Sequence, residues 1–341
     1  MRSAVLPGGD RGSILVFRTM PDHRNSNTSI EQSFSSALAR VARQCVIHRS
    51  SVQTALDAVS EIKPRLVLGV GSVTLDNVDY AAIARASRSV GAALVYWLHD
   101  DPYEFDFNWK IDRQCDWIFT TDRASVDYYQ SANVTHLPLA ADQDRHFRQL
   151  IPLRYRTTDI FFCGVAYPNR RAIISKIRNV LGSRRTLIIG DGWDERLPFC
   201  RNERMPAKAL VDAYTSARIV LNVGRDFNIA NRGFEIVAST PGPRTFEAAA
   251  AGCIQVAFLD SCEILDYFEH QTEILTFNTV SEFASIVDRV RQDPDAMDCI
   301  AASAQNRVRA AHTFDHRAQT LLSVLEKERL LDFRLASTDR G

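Results

Sequence analysis

The chain alternates short, almost wholly apolar runs with longer stretches whose apolar residues recur every three or four positions. Residues 13–17, 45–47, 65–69, 93–97, 116–120 and 134–137 form the first set of runs. The pattern then restarts at 159–163, 186–189, 218–222, 254–258 and 273–277. Continuous apolar runs suit strands covered on both faces, as in a parallel sheet. The intervening periodicity predicts helices over 30–42, 80–89, 169–181, 207–216, 244–251, 280–291, 295–312 and 315–330. Strand and helix in strict alternation define α/β architecture, here two doubly wound domains in tandem. The polar segment 142–158 separates them, giving a first domain over 1–150 and a second over 151–315. A closing helix over 316–332 and a tail over 333–341 follow, and residues 1–11 read as a second loose end. Two such domains place a ligand cleft between the carboxyl ends of their strands.

A length of 341 residues agrees with two domains at about 150 residues each. The 41 basic and 41 acidic residues cancel, which argues against nucleic acid as a partner. No apolar run approaches the ~18 residues of a membrane span, and residues 1–9 lack the apolar core of a signal peptide. Seven cysteines are scattered with no CxxC pair, so neither a zinc site nor a disulfide framework is expected. These features predict buried free thiols and a soluble, cytoplasmic protein.

Residues 239–253 carry the strongest chemical signal. Pro241-Gly242-Pro243 leads directly into an Ala-rich helix that Gly252 ends. The free N–H groups at such a helix start make an anion site. Arg244 adds a planar cation suited to phosphate oxygens, and Glu247 lies one turn further on. The plainer alternative is a core helix carrying an Arg244–Glu247 surface ion pair.

Pro243-Arg244-Thr245-Phe246-Glu247 followed by Gly252-Cys253 resembles the donor-site motif of GT-B glycosyltransferases, closest to the CgeB-like (spore-maturation-type) group. Other segments agree in the same order. They are Trp97-Leu98-His99-Asp100-Asp101-Pro102, Phe119-Thr120-Thr121-Asp122, the stretch from His136 to Asp142, Phe162-Cys163-Gly164 with Asn169-Arg170, and His312-Thr313-Phe314-Asp315-His316-Arg317. The resemblance implies two Rossmann-like domains with an interdomain cleft and a nucleotide-sugar donor held mainly by the second. It implies Glu247 on the ribose, Arg244 and Thr245 at the helix start facing the diphosphate, and Gly164 giving backbone access to the donor. Gly190, Asp191 and Trp193 would lie near the base, although a plain glycine turn with Trp193 capping the core fits equally. One departure stands out: many retaining GT-B enzymes carry a glutamate where this chain has Ser239.

Further candidates follow from position. His99 and Asp101 end a first-domain strand, where a base could serve the acceptor, but three consecutive polar residues cannot all face a cleft. An Asx turn before Pro102 is the alternative for the aspartates. Arg170 opens a helix, where a cation opposes the dipole unless an anion offsets it. Asn222 and Arg225 follow another second-domain strand and suit sugar or phosphate contact. His312 and His316 lie four apart, and with no third ligand they read as helix caps or interdomain contacts.

The resulting expectation is a glycosyltransferase moving a sugar from a nucleotide-sugar to an unknown acceptor, with no metal and no cofactor. A catalytically silent nucleotide-sugar binder or scaffold, or a sugar-nucleotide epimerase, would use the same fold.

Overall fold

The computed structural model describes residues 12–20, 26–131, 133–259 and 263–331. The two loose ends expected at 1–11 and 333–341 lie outside them. The first sheet holds β1 (Ser13–Arg18), β2 (Val46–Ser51), β3 (Leu66–Gly71), β4 (Ala93–Leu98), β5 (Trp117–Thr120) and β6 (Val134–His136). Its spatial order is β2-β1-β3-β4-β5-β6, with every pairing parallel. Helices α1 (Ser26–Val41), α2 (Ala55–Ile62) and α3 (Tyr80–Ser89) cover its faces. β3 and β4 are buried along their whole length, which is why both read as unbroken apolar runs.

The second sheet holds β7 (Thr158–Cys163), β8 (Thr186–Ile189), β9 (Cys200–Arg201), β10 (Ala217–Asn222), β11 (Ile254–Phe258) and β12 (Leu275–Phe277). Its order, β12-β11-β10-β7-β8-β9, is the Rossmann order, with the reversal between β7 and β10. The two-residue β9 escapes the apolar pattern because it is too short to carry one. Helices α4 (Pro168–Gly182), α5 (Ala207–Ser216), α6 (Pro243–Ala250), α7 (Val280–Gln292) and α8 (Pro294–Ala311) complete this domain.

The chain then returns to the first domain. Helix α9 (Phe314–Lys327) buries Phe314, Leu321, Leu322 and Leu325 in one core with Phe34 of α1 and Trp97 of β4. Each such side chain contributes ~1.5–3 kcal/mol on burial, so the closing helix is part of the first domain's core. The linker out of β6 meets the linker into α9: Ala141 donates to the His312 carbonyl at 3.0 Å, and Phe314 donates to Ala141 at 2.9 Å. Buried Arg317 ties this hinge by donating to the carbonyls of Pro138, Leu139 and Ala311. Burial pushes its guanidinium down to about 10. His316 closes a capping box with Thr313 at the start of α9, and His312 caps α8, so the histidine pair serves helix ends.

Candidate donor site at the β7–β10 crevice

Two helices begin at the point where the second sheet reverses. α4 follows β7 and α6 follows the loop after β10. Both start with proline, neither has a side-chain cap, and neither has an acidic residue in its first turn. Their N–H groups and positive dipole ends therefore face the crevice unopposed. Each instead carries an arginine in that first turn, Arg170 on α4 and Arg244 on α6.

The guanidinium groups are held by carbonyls, which leave their charge unneutralised. Arg170 donates from Nε to Val223 and Gly224 at 3.2 and 3.1 Å, and from Nη1 to Val165 at 3.1 Å. Arg244 donates from Nη1 to the Cys163 carbonyl at 2.6 Å, rather than forming the surface pair with Glu247. Arg225, from the loop after β10, donates to Phe227 at 2.8 Å and lies over the Tyr103 ring at 4.1 Å. Asp100 of the first domain lies 3.7 Å from its guanidinium. Burial, reinforced by repulsion from Arg244, lowers Arg170 to about 10. Arg244 is accessible to solvent although protein surrounds it on most sides, the character of a recess.

The glycines make room for this cluster. A Cβ on Gly164 would lie 2.8 Å from Nη1 of Arg170. Gly190 has φ +145°, and a Cβ there would lie 2.1 Å from the Gly164 carbonyl oxygen, so only glycine fits. Asn222 donates to Oγ1 of Thr245 at 2.8 Å and to Gln255 at 3.2 Å. Thr245 is buried, and this pair fastens the first turn of α6 to the sheet. Glu247 sits one turn beyond Arg244, with one carboxylate oxygen 3.9 Å from Nε2 of His146.

The first domain meets this crevice with the loops after β4 and β5. Both ring nitrogens of His99 are buried without a hydrogen-bond partner among the described residues, and burial pushes the ring down to about 3. Burial thus favours the neutral ring, which can both donate and accept a hydrogen bond. Asp100 accepts from Ser72 at 2.8 Å and pairs with Arg225 across the cleft. Asp101 points inward and accepts from Thr120 at 2.6 Å, Asn108 at 2.8 Å and Tyr129. Burial raises it to about 6 against those hydrogen bonds. With its oxygens so occupied it organises the first domain and is not a cleft base.

The loop over 223–241 straps the domains together. Its Ile229 and Ala230 donate to the Tyr103 carbonyl at 2.9 Å each, and Arg232 and Gly233 donate to the Asp106 carboxylate at 2.8 and 3.0 Å. Ile236 packs in the first domain's core. Just before α6, Ser239 and Thr240 donate to buried Asp122 at 2.8 and 3.0 Å, and Oγ of Ser239 accepts from Ala124 at 3.2 Å. Ser239 is thus engaged by the first domain.

In the segment after β8, Trp193 takes the second of its two expected places, in the core. Trp193 is buried and donates to the Gly164 carbonyl at 2.9 Å, packing edge-on against Phe162. It supports the crevice from beneath and offers no face to a base. Asp191 pairs at the surface with Arg204 at 3.1 Å. His146, Asp106 and Asp122 escaped the reading as site residues because their partners are distant in sequence. Among the described residues, no three His, Cys, Asp or Glu side chains are grouped to hold a metal ion. No described helix is long and apolar enough to cross a membrane. Of the six described cysteines, all unpaired, Cys200 and Cys253 are buried and Cys299 is exposed.

Comparison with known proteins agrees with the fold. Two facing six-stranded parallel sheets with the closing helix on the first constitute the GT-B fold. Residues 170–323 match a family model described as glycosyl transferase-like. No curated protein matches the chain by sequence. Among solved structures, Anabaena Alr3699/HepE in complex with UDP superposes with a TM-score of 0.62 at 13% identity, over 92% of this chain and 100% of that one. Sucrose-phosphate synthase from Thermosynechococcus elongatus gives 0.56 at 10% identity, over 94% and 99%. A protein described as a UDP-N-acetylglucosamine 2-epimerase from Listeria monocytogenes gives 0.57 at 10% identity, over 96% and 99%.

Proposed function

We propose that the chain transfers a glycosyl group, of the hexosyl type, from a nucleoside diphosphate sugar to an acceptor entering from the first domain. The observation that carries this reading is the set of guanidinium groups held by carbonyls at two uncapped helix starts. A doubly charged diphosphate complements that arrangement. Arg170, Arg244 and the α6 N–H groups take the diphosphate, Arg225 lies at its outer side, and Glu247 accepts from the ribose hydroxyls. The unpartnered nitrogens of His99 meet a hydroxyl of the transferred sugar or the acceptor. In the reaction the bond from the anomeric carbon to the diphosphate oxygen breaks and the electron pair leaves with the phosphate. The acceptor oxygen bonds that carbon, and its proton passes to the departing diphosphate or to solvent water. Positive charge fixed beside the leaving oxygens stabilises them as charge develops, and the cleft positions the acceptor. Guanidinium groups and helix ends supply this charge without a divalent metal.

UDP is the first nucleotide to test, since HepE has been solved with UDP and with UDP-glucose. Placement in the CgeB-like group rests on the motif from Pro243 to Glu247. Free thiols suit a cytoplasmic site of action. A catalytically silent nucleotide-sugar binder is the second reading, favoured by Ser239, whose backbone and side chain are engaged by the first domain. An epimerase is the third, supported by the Listeria neighbour. Incubation with a panel of UDP-sugars, with and without candidate acceptors, separates them. A transferase releases UDP and forms a glycoside, an epimerase yields an isomeric sugar, and a silent binder leaves the donor intact.

A further inference from the structure

The interdomain linker presents one side chain to the donor site. Residues 142–146 form a tight turn in which Oδ1 of Asp142 accepts from Asp144 at 2.8 Å and Arg145 at 3.1 Å, while His146 donates to the Asp142 carbonyl at 3.0 Å. The Asp142 backbone N–H donates to Nδ1 of His146 at 2.9 Å. A backbone N–H can only donate, so Nδ1 is the acceptor nitrogen and the ring proton resides on Nε2. That Nε2 is the atom 3.9 Å from the Glu247 carboxylate, and the two side chains are only 12% and 18% exposed.

The turn is anchored to the first domain. Arg40 of α1 pairs with Asp144 at 2.9 Å and with Asp315 of α9 at 2.6 Å. Glu247 belongs to α6 of the second domain. On its other side the linker packs against α6 itself, through Ala141 and Phe147 beside Phe246 and Ala249, so the imidazole sits where both domains meet.

We infer that His146 is a positioning residue for Glu247, so that the hinge itself preorganises recognition of the nucleotide ribose. The inference rests on the reading that Glu247 takes the ribose hydroxyls. At 3.9 Å the Nε2–H is beyond direct hydrogen-bond length, so it acts as a dipole that favours one orientation of the carboxylate without cancelling its charge. The other oxygen stays a full acceptor for the ribose, and less rotamer freedom is lost on binding.

Two variants separate the halves of the imidazole. His146→Asn keeps an acceptor for the Asp142 N–H but is too short to reach Glu247. His146→Gln places an amide N–H near the former Nε2. Isothermal titration of the full chain with UDP and with 2′-deoxy-UDP is run on both, on Glu247→Gln, and on the His146→Asn/Glu247→Gln double variant, with folding checked by circular dichroism. His146→Asn is expected to weaken UDP about two- to fivefold and to narrow its preference over 2′-deoxy-UDP, less than loss of a direct hydrogen bond would. His146→Gln should restore most of that preference, and the double variant should bind no worse than Glu247→Gln alone. Wild-type ribose discrimination in His146→Asn beside a weakened Glu247→Gln would overturn the positioning role alone. Fully additive losses in the double variant would do the same. Unchanged UDP affinity in Glu247→Gln would overturn both this role and the donor-site reading.

Discussion

Removing the Arg244 guanidinium separates a phosphate ligand from a structural arginine. Arg244 is exposed to solvent and donates to the Cys163 carbonyl. In Arg244→Ala water can take over that carbonyl, so stability should change by no more than about 0.5 kcal/mol. Binding should change much more. A hydrogen bond between charged groups contributes ~1.5–3 kcal/mol net, which is about 12- to 150-fold in a dissociation constant. UDP carries a second phosphate within reach of the α4 and α6 starts, so its loss should exceed that of UMP. Uridine, with no phosphate, should be indifferent. Titration of the three ligands against wild-type and variant protein, beside a urea unfolding curve for each, measures both effects. Equal loss for all three ligands would refute the diphosphate assignment, as would unchanged UDP affinity in a folded variant.

Three further outcomes are expected. Gly164→Ala puts a Cβ 2.8 Å from Nη1 of Arg170, so it should displace that guanidinium and weaken UDP by about tenfold or more; titration with UDP at wild-type affinity would contradict it. Burial holds His136 down to about 4 while its Nε2 contacts Thr240 across the domains, so the unfolded chain binds a proton there between about pH 6.5 and 4 that the folded chain does not. Its contribution to stability is therefore lost as pH falls through that window, and a melting series should show a shallower acid slope in His136→Asn; an unchanged slope would refute the assignment. Donor binding and turnover should persist in excess EDTA, and loss of activity that Mg²⁺ or Mn²⁺ restores would show that the guanidinium groups do not suffice.

Most of the scaffold is legible in the sequence, because strands buried on both faces must be apolar throughout. The helix start at Pro243 and Arg244 is legible too, since proline punctuation and a cation at the wrong end of a dipole are local signals. What escaped depends on distant partners. Asp101 and Asp100 are neighbours of identical chemistry, yet Thr120, Asn108 and Tyr129 claim the first while Arg225 faces the second. Trp193 beside glycines reads as readily as a base platform as the core residue it is. The strap over 223–241 has no apolar period, because backbone N–H groups donating to Asp106 and Asp122 hold it. His146 sits in a polar linker whose importance lies in which domains it joins.

The central claim is that a nucleoside diphosphate binds where α4 and α6 begin, and a crystal structure of the chain soaked with UDP tests it most directly. The account predicts the diphosphate within hydrogen-bond distance of Arg170, Arg244 and the first N–H groups of α6, with the ribose hydroxyls on Glu247. Ordered UDP bound elsewhere, or a crevice that stays empty at millimolar UDP, would contradict it.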